Sequence, residues 1–452
     1  MFQILNFIEI LRLDLAMSTP TKRVAFHTMG CKLNFSETAT ISRNLLNHGF
    51  EKVDYRDKAD IYVLNTCSVT ENADKEARKL IRQAKRRNPD SSIAVIGCYA
   101  QLKPDEIADI EGVDLILGAE EKFNLLNHLD TMDLNNGAKV IQSKIDQVHS
   151  FTSSYSSGER TRSFLKIQDG CDYTCSFCTI PLARGASRSD TIANTMKVAR
   201  KVAKTDAREI VLTGVNIGDF GKGGKETLFG LLQELEGLKG IDRIRISSIE
   251  PNLLTDDIIE FCATSKKFMP HFHVPLQSGS NKILSAMRRR YNSAVYGNRM
   301  KKIKDCIPDA CIGVDVIVGF PGESNDDFLN TYNFLNSLDI SYLHVFTYSE
   351  RPNTDAINLK PEISKEKRAH RSKMLHILSD KKRRFFHEKF IGNKRPVLFE
   401  KMKNGKVVGH TDNYIQVRAD GEADSINTIK LVSLSVNHGA VVDGQIKQKV
   451  TI

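Results

Sequence analysis

Three short apolar, β-branched runs near the N-terminus each end in a cysteine. Val24-Ala25-Phe26-His27-Thr28-Met29-Gly30 leads to Cys31, Ile61-Tyr62-Val63-Leu64-Asn65-Thr66 to Cys67, and Ile93-Ala94-Val95-Ile96-Gly97 to Cys98. Each run precedes a segment of helical periodicity, at Ser36–Asn47, Asp74–Arg87 and Lys103–Ile110. Strands alternating with helices predict βαβ units and a parallel sheet. Parallel strands deliver their C-terminal ends to one edge, where open α/β sheets hold ligands. Cys31, Cys67 and Cys98 are therefore expected to meet in space. A lone buried cysteine is usually a small core residue. Three at successive strand ends are hard to explain as packing, and they point to a site with three thiolates.

The alternation resumes further on. Strands are expected at Phe164–Gln168, Glu209–Thr213, Arg243–Ser248, His271–Leu276, Gly313–Gly319 and Leu343–Tyr348. Helices are expected between them, among them Thr191–Lys204, Leu228–Leu238, Asn281–Arg289 and Asp326–Leu338. Six such units fit a partial (β/α)6 barrel. After Pro396 the pattern changes to short strands and turns at Val397–Glu400, Lys406–His410, Ile415–Arg418, Ile429–Ser435 and Gln445–Val450. Asn404-Gly405 between two of them is a strong hairpin signal. The division is then an α/β domain over 21–128, a polar, Ser-rich linker over 129–162, the barrel over 163–385 and a small antiparallel barrel over 386–452. Met1–Leu15 is apolar but interrupted by Glu9, Arg12 and Asp14, has no basic n-region, and is too short and charged to span a bilayer. Residues 1–20 are expected to be a non-native or disordered leader, with Met17 reading as a natural start.

Composition alters this picture little, and charge more. Hydrophobic residues make up 40% of the 452-residue chain and charged residues 27%, ordinary values for a globular protein. Nine cysteines is an odd number for a disulfide scaffold, and thiols in a chain this long point to metal or catalysis. The formal net charge is +10, which suits a polyanionic partner. Nearly all of it resides between Lys365 and Arg395, where twelve Lys and Arg face only Glu366, Asp380 and Glu388. Arg78, Lys79, Arg82, Lys85, Arg86 and Arg87 form a second basic stretch. Either is a solvated helix face or a phosphate-binding one.

The most specific chemistry lies in Gly170-Cys171-Asp172-Tyr173-Thr174-Cys175-Ser176-Phe177-Cys178, a C-x3-C-x2-C run. Three thiolates hold three irons of a [4Fe–4S] cube and leave the fourth open to a small molecule. The competing reading is a three-cysteine zinc knuckle, but such sites are closed by four ligands at C-x2-4-C spacing, and no fourth Cys or His lies close by. The remaining Cys262, Cys306 and Cys311 break no pattern and read as inert. His271, His273 and His344 sit in apolar strands and read as core residues.

The cysteine run resembles the radical-SAM signature. Thr28-Met29-Gly30-Cys31-Lys32-Leu33-Asn34, Asn65-Thr66-Cys67 and Gly97-Cys98-Tyr99-Ala100-Gln101 resemble the N-terminal domain of the radical-SAM methylthiotransferases. Lys166-Ile167-Gln168-Asp169-Gly170-Cys171 and Ile180-Pro181-Leu182-Ala183-Arg184-Gly185 resemble the start of their central domain. The resemblance runs from about Lys22 to the C-terminus. It implies an α/β chain with an N-terminal parallel α/β domain, a radical-SAM barrel and a C-terminal TRAM domain, an OB-like RNA-binding module in which Tyr414 could stack on a base.

The resemblance also implies two [4Fe–4S] clusters, on Cys171, Cys175 and Cys178 and on Cys31, Cys67 and Cys98, with S-adenosylmethionine (SAM) as cofactor. The chemistry implied is insertion of a methylthio group at an unactivated C–H bond of tRNA. Such a bond has no acidic proton, whereas a 5′-deoxyadenosyl radical opens it. The strand ends carrying Thr213, Gly214, Asn216, Ser248, Glu250 and Gly319 are expected to contact SAM. Each is equally ordinary turn chemistry. Lys32, Arg184 and Arg188 are expected to face substrate. Within the family the substrate is a tRNA adenosine bearing threonylcarbamoyl or isopentenyl at N6, or an aspartate of a ribosomal protein. Gly30-Cys31-Lys32-Leu33-Asn34 looks like the threonylcarbamoyl type, in which Lys32 meets the carboxylate. An RNA-binding iron–sulfur protein without turnover is the reading from a different class. A cytoplasmic location without membrane contact, and an electron donor such as flavodoxin or ferredoxin, complete the expectation; no sulfur donor is indicated.

Overall fold

A computed structural model describes residues 21–68, 70–129, 137–157 and 161–447. The expected leader over 1–20 and the end of the expected strand Gln445–Val450 lie outside the described residues. The N-terminal domain is an all-parallel sheet of β1 (Arg23–Thr28), β2 (Glu51–Val53), β3 (Ile61–Thr66), β4 (Ser92–Gly97), β5 (Leu115–Leu117) and β6 (Lys139–Ile141). Its spatial order is β2-β1-β3-β4-β5-β6. Every residue of β3 is buried, as expected of a central parallel strand covered on both faces. Alternation along β3 sorts its side chains between two cores. Tyr62 and Leu64 pack with Ala77, Ile81 and Ala84 of the helix Glu71–Arg87. Ile61 and Val63 pack with Ile41 and Leu45 of the helix Lys32–Asn47.

The segment expected to be a linker is built into this frame. β6 pairs with β5, and beyond it the Ser154 hydroxyl bonds that of Ser36 at 2.9 Å. The Lys166 amide donates to the Ser154 carbonyl. Backbone and hydroxyl hydrogen bonds order this stretch, so its polar composition concealed it.

The central wall comprises β7 (Arg162–Lys166), β10 (Glu209–Thr213), β11 (Arg243–Ile246), β12 (His271–His273), β13 (Cys311–Val318) and β14 (Tyr342–Thr347); β8 (Gln168–Asp169) and β9 (Arg188–Ser189) form a short antiparallel ribbon beside it. β7, β10 and β11 pair in parallel, as do β12, β13 and β14. A parallel bridge between Ser248 and His273 joins the two groups into one curved, six-stranded open barrel.

The C-terminal strands β15 (Lys394–Lys403), β16 (Lys406–Thr411), β17 (Gln416–Ala419), β18 (Ile429–Asn437) and β19 (Val442–Ile446) close into a small barrel. Asn404 and Gly405 form its hairpin turn with φ of +51° and +73°, the backbone that Asn-Gly favours. The helix Lys365–Glu388 joins the two barrels. Its Leu375 and Leu378 enter the core of the larger one, and Phe386 that of the smaller. Arg245 is buried and donates to Glu209 at 2.8 Å and to the Thr411 and Asp412 carbonyls, which seats the small barrel against the large one.

His387, at the end of that helix, is 5% exposed. Burial pushes its pKa down to about 4, and Arg383 acts in the same direction. Its ring stays neutral in the folded chain while the unfolded chain binds a proton below about pH 6.5. The buried ring therefore costs nothing above that pH and destabilises progressively as pH falls towards 4, by on the order of 3 kcal/mol in full. His387→Gln is expected to remove this component. Denaturation midpoints from pH 7 down to 4 should fall less steeply for the variant than for the parent.

Candidate functional site

The register of the N-terminal sheet brings the first three cysteines together. Thr28 lies opposite Asn65, and Thr66 opposite Gly97, so Cys31, Cys67 and Cys98 leave one sheet edge. Two glycines make the approach possible. Gly30 has φ +86°, and a Cβ on it would lie 2.7 Å from the Cys67 Cβ. Gly97 has φ +97°, and a Cβ there would lie 2.5 Å from the Thr66 carbonyl oxygen. Only glycine satisfies both the backbone angle and the space. Asn34 fastens the loops by donating at 3.0 Å to the carbonyls of both Met29 and Thr66. Cys31 is the N-cap of the helix Lys32–Asn47.

Cys171, Cys175 and Cys178 follow β8 at the mouth of the open barrel. Each sulfur accepts an N–H bond: Cys171 from the Tyr173 amide at 3.4 Å, Cys178 from the Ile180 amide at 3.5 Å, and Cys175 from the Arg289 guanidinium at 3.1 Å. Burial nevertheless raises all three thiol pKa values, to about 11 for Cys171 and about 12 for Cys178. Such thiols lose their protons to a bound cation, and N–H bonds to the sulfurs are a means by which proteins stabilise iron–sulfur clusters. Thiolates about 2.3 Å from one zinc ion would crowd together. Among the described residues, the set whose ligand atoms all lie within 4.8 Å of one another is His273, Asp315 and His344, not either cysteine triplet. Both triplets therefore fit a cube, where each sulfur takes its own iron, better than a single ion.

A buried ion network binds the two cysteine sites into one unit. Glu37, fully buried on the helix Lys32–Asn47, takes Lys122 at 2.7 Å, Lys166 at 3.0 Å and Arg184 at 3.1 Å. Asp169, two residues before Cys171, takes Lys166 at 2.7 Å, Arg184 at 2.9 Å and Arg188 at 3.4 Å. Arg184 also donates to the Asn34 amide oxygen. Burial alone would raise both carboxyl pKa values; the surrounding cations reverse this and hold them well below the usual range. Burial raises the pKa of the Cys98 thiol, and Arg184 nearby opposes part of that rise. Arg184 and Arg188, expected to face substrate, are corrected to this structural role. Arg184 is 3% exposed with both terminal nitrogens engaged, and Arg188 donates to the Ser150, Arg184 and Ala186 carbonyls.

Lys32 has a different setting. It lines a cavity of about 1280 Å³ between the N-terminal sheet edge, the inner face of the barrel and the C-terminal barrel. Cys31 lines it too, so the second cysteine site opens on this space. Lys32, Arg43, Lys52, Arg162, Arg245 and Arg383 face the cavity, against Asp315 as the sole lining carboxylate. Glu400 and Glu209 neutralise Arg162 and Arg245 from behind. Lys32 has no carboxylate at ion-pair distance among the described residues, and enclosure lowers its pKa. The cavity is built for an anion.

Thr213, Gly214 and Ser248 line the same cavity. Asn216 and Glu250 lie at neighbouring strand ends. The buried Asn216 amide oxygen lacks a partner, and Glu250 pairs with the Arg289 that touches Cys175. Asn252, whose buried amide oxygen is likewise unpartnered, bonds the Tyr173 hydroxyl in the cysteine loop. Arg289 and Asn252 had no signal in the sequence beyond a run of arginines and an ordinary turn. Gly319 occupies a turn. Its φ is +76°, a Cβ would lie 2.3 Å from the Arg368 Cγ, and its amide bonds Glu323. Tyr414, expected as a stacking aromatic, lines the cavity between His271 at 4.1 Å and His410 at 4.9 Å. His273 and His344 are also corrected from core to cavity wall. Strand alternation turns them into the barrel interior, which is hollow here rather than filled.

Open α/β barrel geometry, a three-cysteine loop after the first barrel strand and a second cysteine triplet at the N-terminal sheet edge, of which Cys31 lines the cavity, define a radical-SAM enzyme with an auxiliary cluster site. Residues 165–335 match the model of the Radical SAM superfamily, and residues 23–118 that described as Uncharacterized protein family UPF0004. The chain is 38% identical over 426 residues to the threonylcarbamoyladenosine tRNA methylthiotransferase MtaB of Bacillus subtilis, across 91% of this chain and 93% of that protein. It is 39% identical to the Aquifex aeolicus MtaB, across 88% and 97%. It is 33% identical to a tRNA-2-methylthio-N(6)-dimethylallyladenosine synthase of Jannaschia, across 89% of each. The chain belongs to the radical-SAM tRNA methylthiotransferase family, whose cofactors are SAM and [4Fe–4S] clusters. The radical S-adenosylmethionine methyltransferase TsrM from Kitasatospora setae shares the fold, with a TM-score of 0.56 at 14% identity over 75% of this chain and 77% of that one. No described helix is long and apolar enough to cross a membrane.

Two outcomes test this assignment of roles. Changing Cys31, Cys67 and Cys98 together to alanine should lower iron from about eight to about four per chain and leave SAM cleavage to 5′-deoxyadenosine in place. Glu37→Gln leaves three buried cations without their shared carboxylate. Chemical denaturation should show a loss of about 3–5 kcal/mol.

Proposed function

We propose that this chain converts N6-threonylcarbamoyladenosine beside the tRNA anticodon to its 2-methylthio derivative. The observation that carries the reading is the unpaired ammonium of Lys32 in the cavity that Cys31 also faces. A threonylcarbamoyl group ends in a carboxylate, and a charge-assisted bond to an enclosed lysine is worth about 1.5–3 kcal/mol. An isopentenyl group offers that charge no partner.

When bound, the cluster on Cys171, Cys175 and Cys178 supplies the electron that cleaves SAM, and the one on Cys31, Cys67 and Cys98 carries the sulfur. Thr213, Gly214 and Ser248 on the cavity wall, with Asn216 and Glu250 beside the cysteine loop, hold SAM. Asn216 offers a buried carbonyl oxygen that finds no partner among the described residues. Tyr414 and Tyr342 line the same cavity.

The tRNA lies across exposed basic faces. Lys79, Arg82 and Arg86 form one on the helix Glu71–Arg87, and Lys365, Lys367, Lys373, Lys381 and Arg384 another on the helix Lys365–Glu388. Arg368 and Arg371 of that second stretch are instead buried anchors, Arg371 bonding Glu323 at 2.5 Å. The enzyme acts in the cytoplasm and draws its electron from a low-potential carrier such as flavodoxin or ferredoxin.

The test is competition between anticodon stem-loops bearing threonylcarbamoyl or isopentenyl adenosine, with products quantified by mass spectrometry. The parent should favour the former. Lys32→Met should lower kcat/KM for it roughly 10- to 100-fold, which is about 1.4–2.7 kcal/mol, while still cleaving SAM. Equal or better use of the isopentenyl substrate by the parent would overturn the reading.

A further inference from the structure

β12, β13 and β14 bring His273, Asp315 and His344 to one point on the inner face of the barrel. Asp315 and His344 are register partners on adjacent parallel strands, and His273 lies on the next strand across. Their ligand atoms all lie within 4.8 Å of one another. The His273 Nε2 is 2.7 Å from the Asp315 Oδ1. The two imidazoles meet edge to face, with centroids 5.3 Å apart. All three residues line the cavity, so the point where they converge is open on one side.

Two further features fit a ligand set rather than an incidental polar cluster. The other nitrogen of His273, Nδ1, lies 2.7 Å from the Ser248 hydroxyl. An outer hydrogen bond of this kind fixes the tautomer and ring plane of a metal-binding histidine. His344 makes no hydrogen bond to the described residues through either ring nitrogen, although it points towards a carboxylate. Asp315 is also the only carboxylate on a wall that carries six Lys and Arg. It is placed between two imidazoles and not against any of those cations.

We propose that His273, Asp315 and His344 form a binding site for one divalent transition-metal ion, separate from both cysteine sites, with its open coordination positions facing the substrate cavity. Two imidazoles and one carboxylate suit iron, zinc or manganese rather than magnesium or calcium, whose ligands are oxygens. The site stands on these residues alone and is independent of which adenosine the enzyme modifies. An ion here keeps one net positive charge after Asp315 and adds it to that of Lys32.

Zinc serves as the probe. Full-length protein carrying both clusters is equilibrated anaerobically with a small excess of zinc and freed of unbound metal. Iron and zinc are then counted per chain by mass spectrometry. The parent should hold one zinc with its iron unchanged at about eight. His344→Ala and Asp315→Asn should each lose the zinc while keeping the iron and an unaltered melting midpoint. X-ray absorption at the zinc edge should show nitrogen and oxygen neighbours at about 2.0–2.2 Å and no sulfur shell near 2.3 Å. Zinc retained by both variants, zinc bound only as iron is lost, or no zinc in the parent would each overturn the proposal.

Discussion

The buried ion network around Glu37 is the constraint on which the rest of the molecule depends. Glu37 and Asp169 come from different domains, and Lys122, Lys166, Arg184 and Arg188 gather around them. Charges taken out of water are tolerable only when their partners are all in place. The network therefore has one satisfactory arrangement, the one in which the N-terminal sheet edge meets the opening of the barrel. Arg184 links that junction to Asn34, and Asn34 holds the carbonyls preceding two of the three cysteines. The relative placement of the two cysteine sites thus follows from electrostatics between domains, and not from the loops that carry the thiols. The network also holds more cations than carboxylates, so its surplus charge lies on the side where thiolates must form.

The C-terminal barrel completes the site instead of hanging from it. Arg243 and Arg245 reach from the base of β11 to carbonyls at Pro396, His410, Thr411 and Asp412. Tyr414 is thereby pressed into a stack with His271 and His410 and lines the cavity. One small domain contributes both the back wall of a substrate pocket and an outer surface near the basic helix Lys365–Glu388. Among the described residues that line the cavity, six are Lys or Arg and one, Asp315, is a carboxylate. That balance distinguishes an anionic nucleoside from a neutral one before any base-specific contact is made.

Much of the architecture was legible along the chain. The strands Glu209–Thr213 and Ile61–Thr66 were bounded to the residue, because buried parallel strands are short apolar runs ended by turn residues. Where the pattern was weaker, so was the reading. The helix Lys32–Asn47 begins four residues before its expected start, as Cys31 is no conventional cap. The expected helix Lys103–Ile110 is the short helix Pro104–Ala108, parted from another, Cys98–Leu102, that went unseen, at Lys103, whose backbone leaves the helical region just before Pro104. β6 went unseen because three residues carry no usable period.

Cysteine spacing and strand-end position by themselves determined both three-thiolate sites, since local sequence decides what a strand end carries and a parallel sheet decides that such ends converge. Tertiary structure alone decided which charged residues are neutralised and which are left facing the cavity. Arg184 and Lys32 look equally available along the chain, yet one is neutralised by carboxylates from distant segments and the other is left unpaired in a cavity. It likewise turned His273 and His344 inward to meet Asp315. The physical reason is the same in each case: the behaviour of a buried charge or imidazole depends on neighbours that only folding supplies.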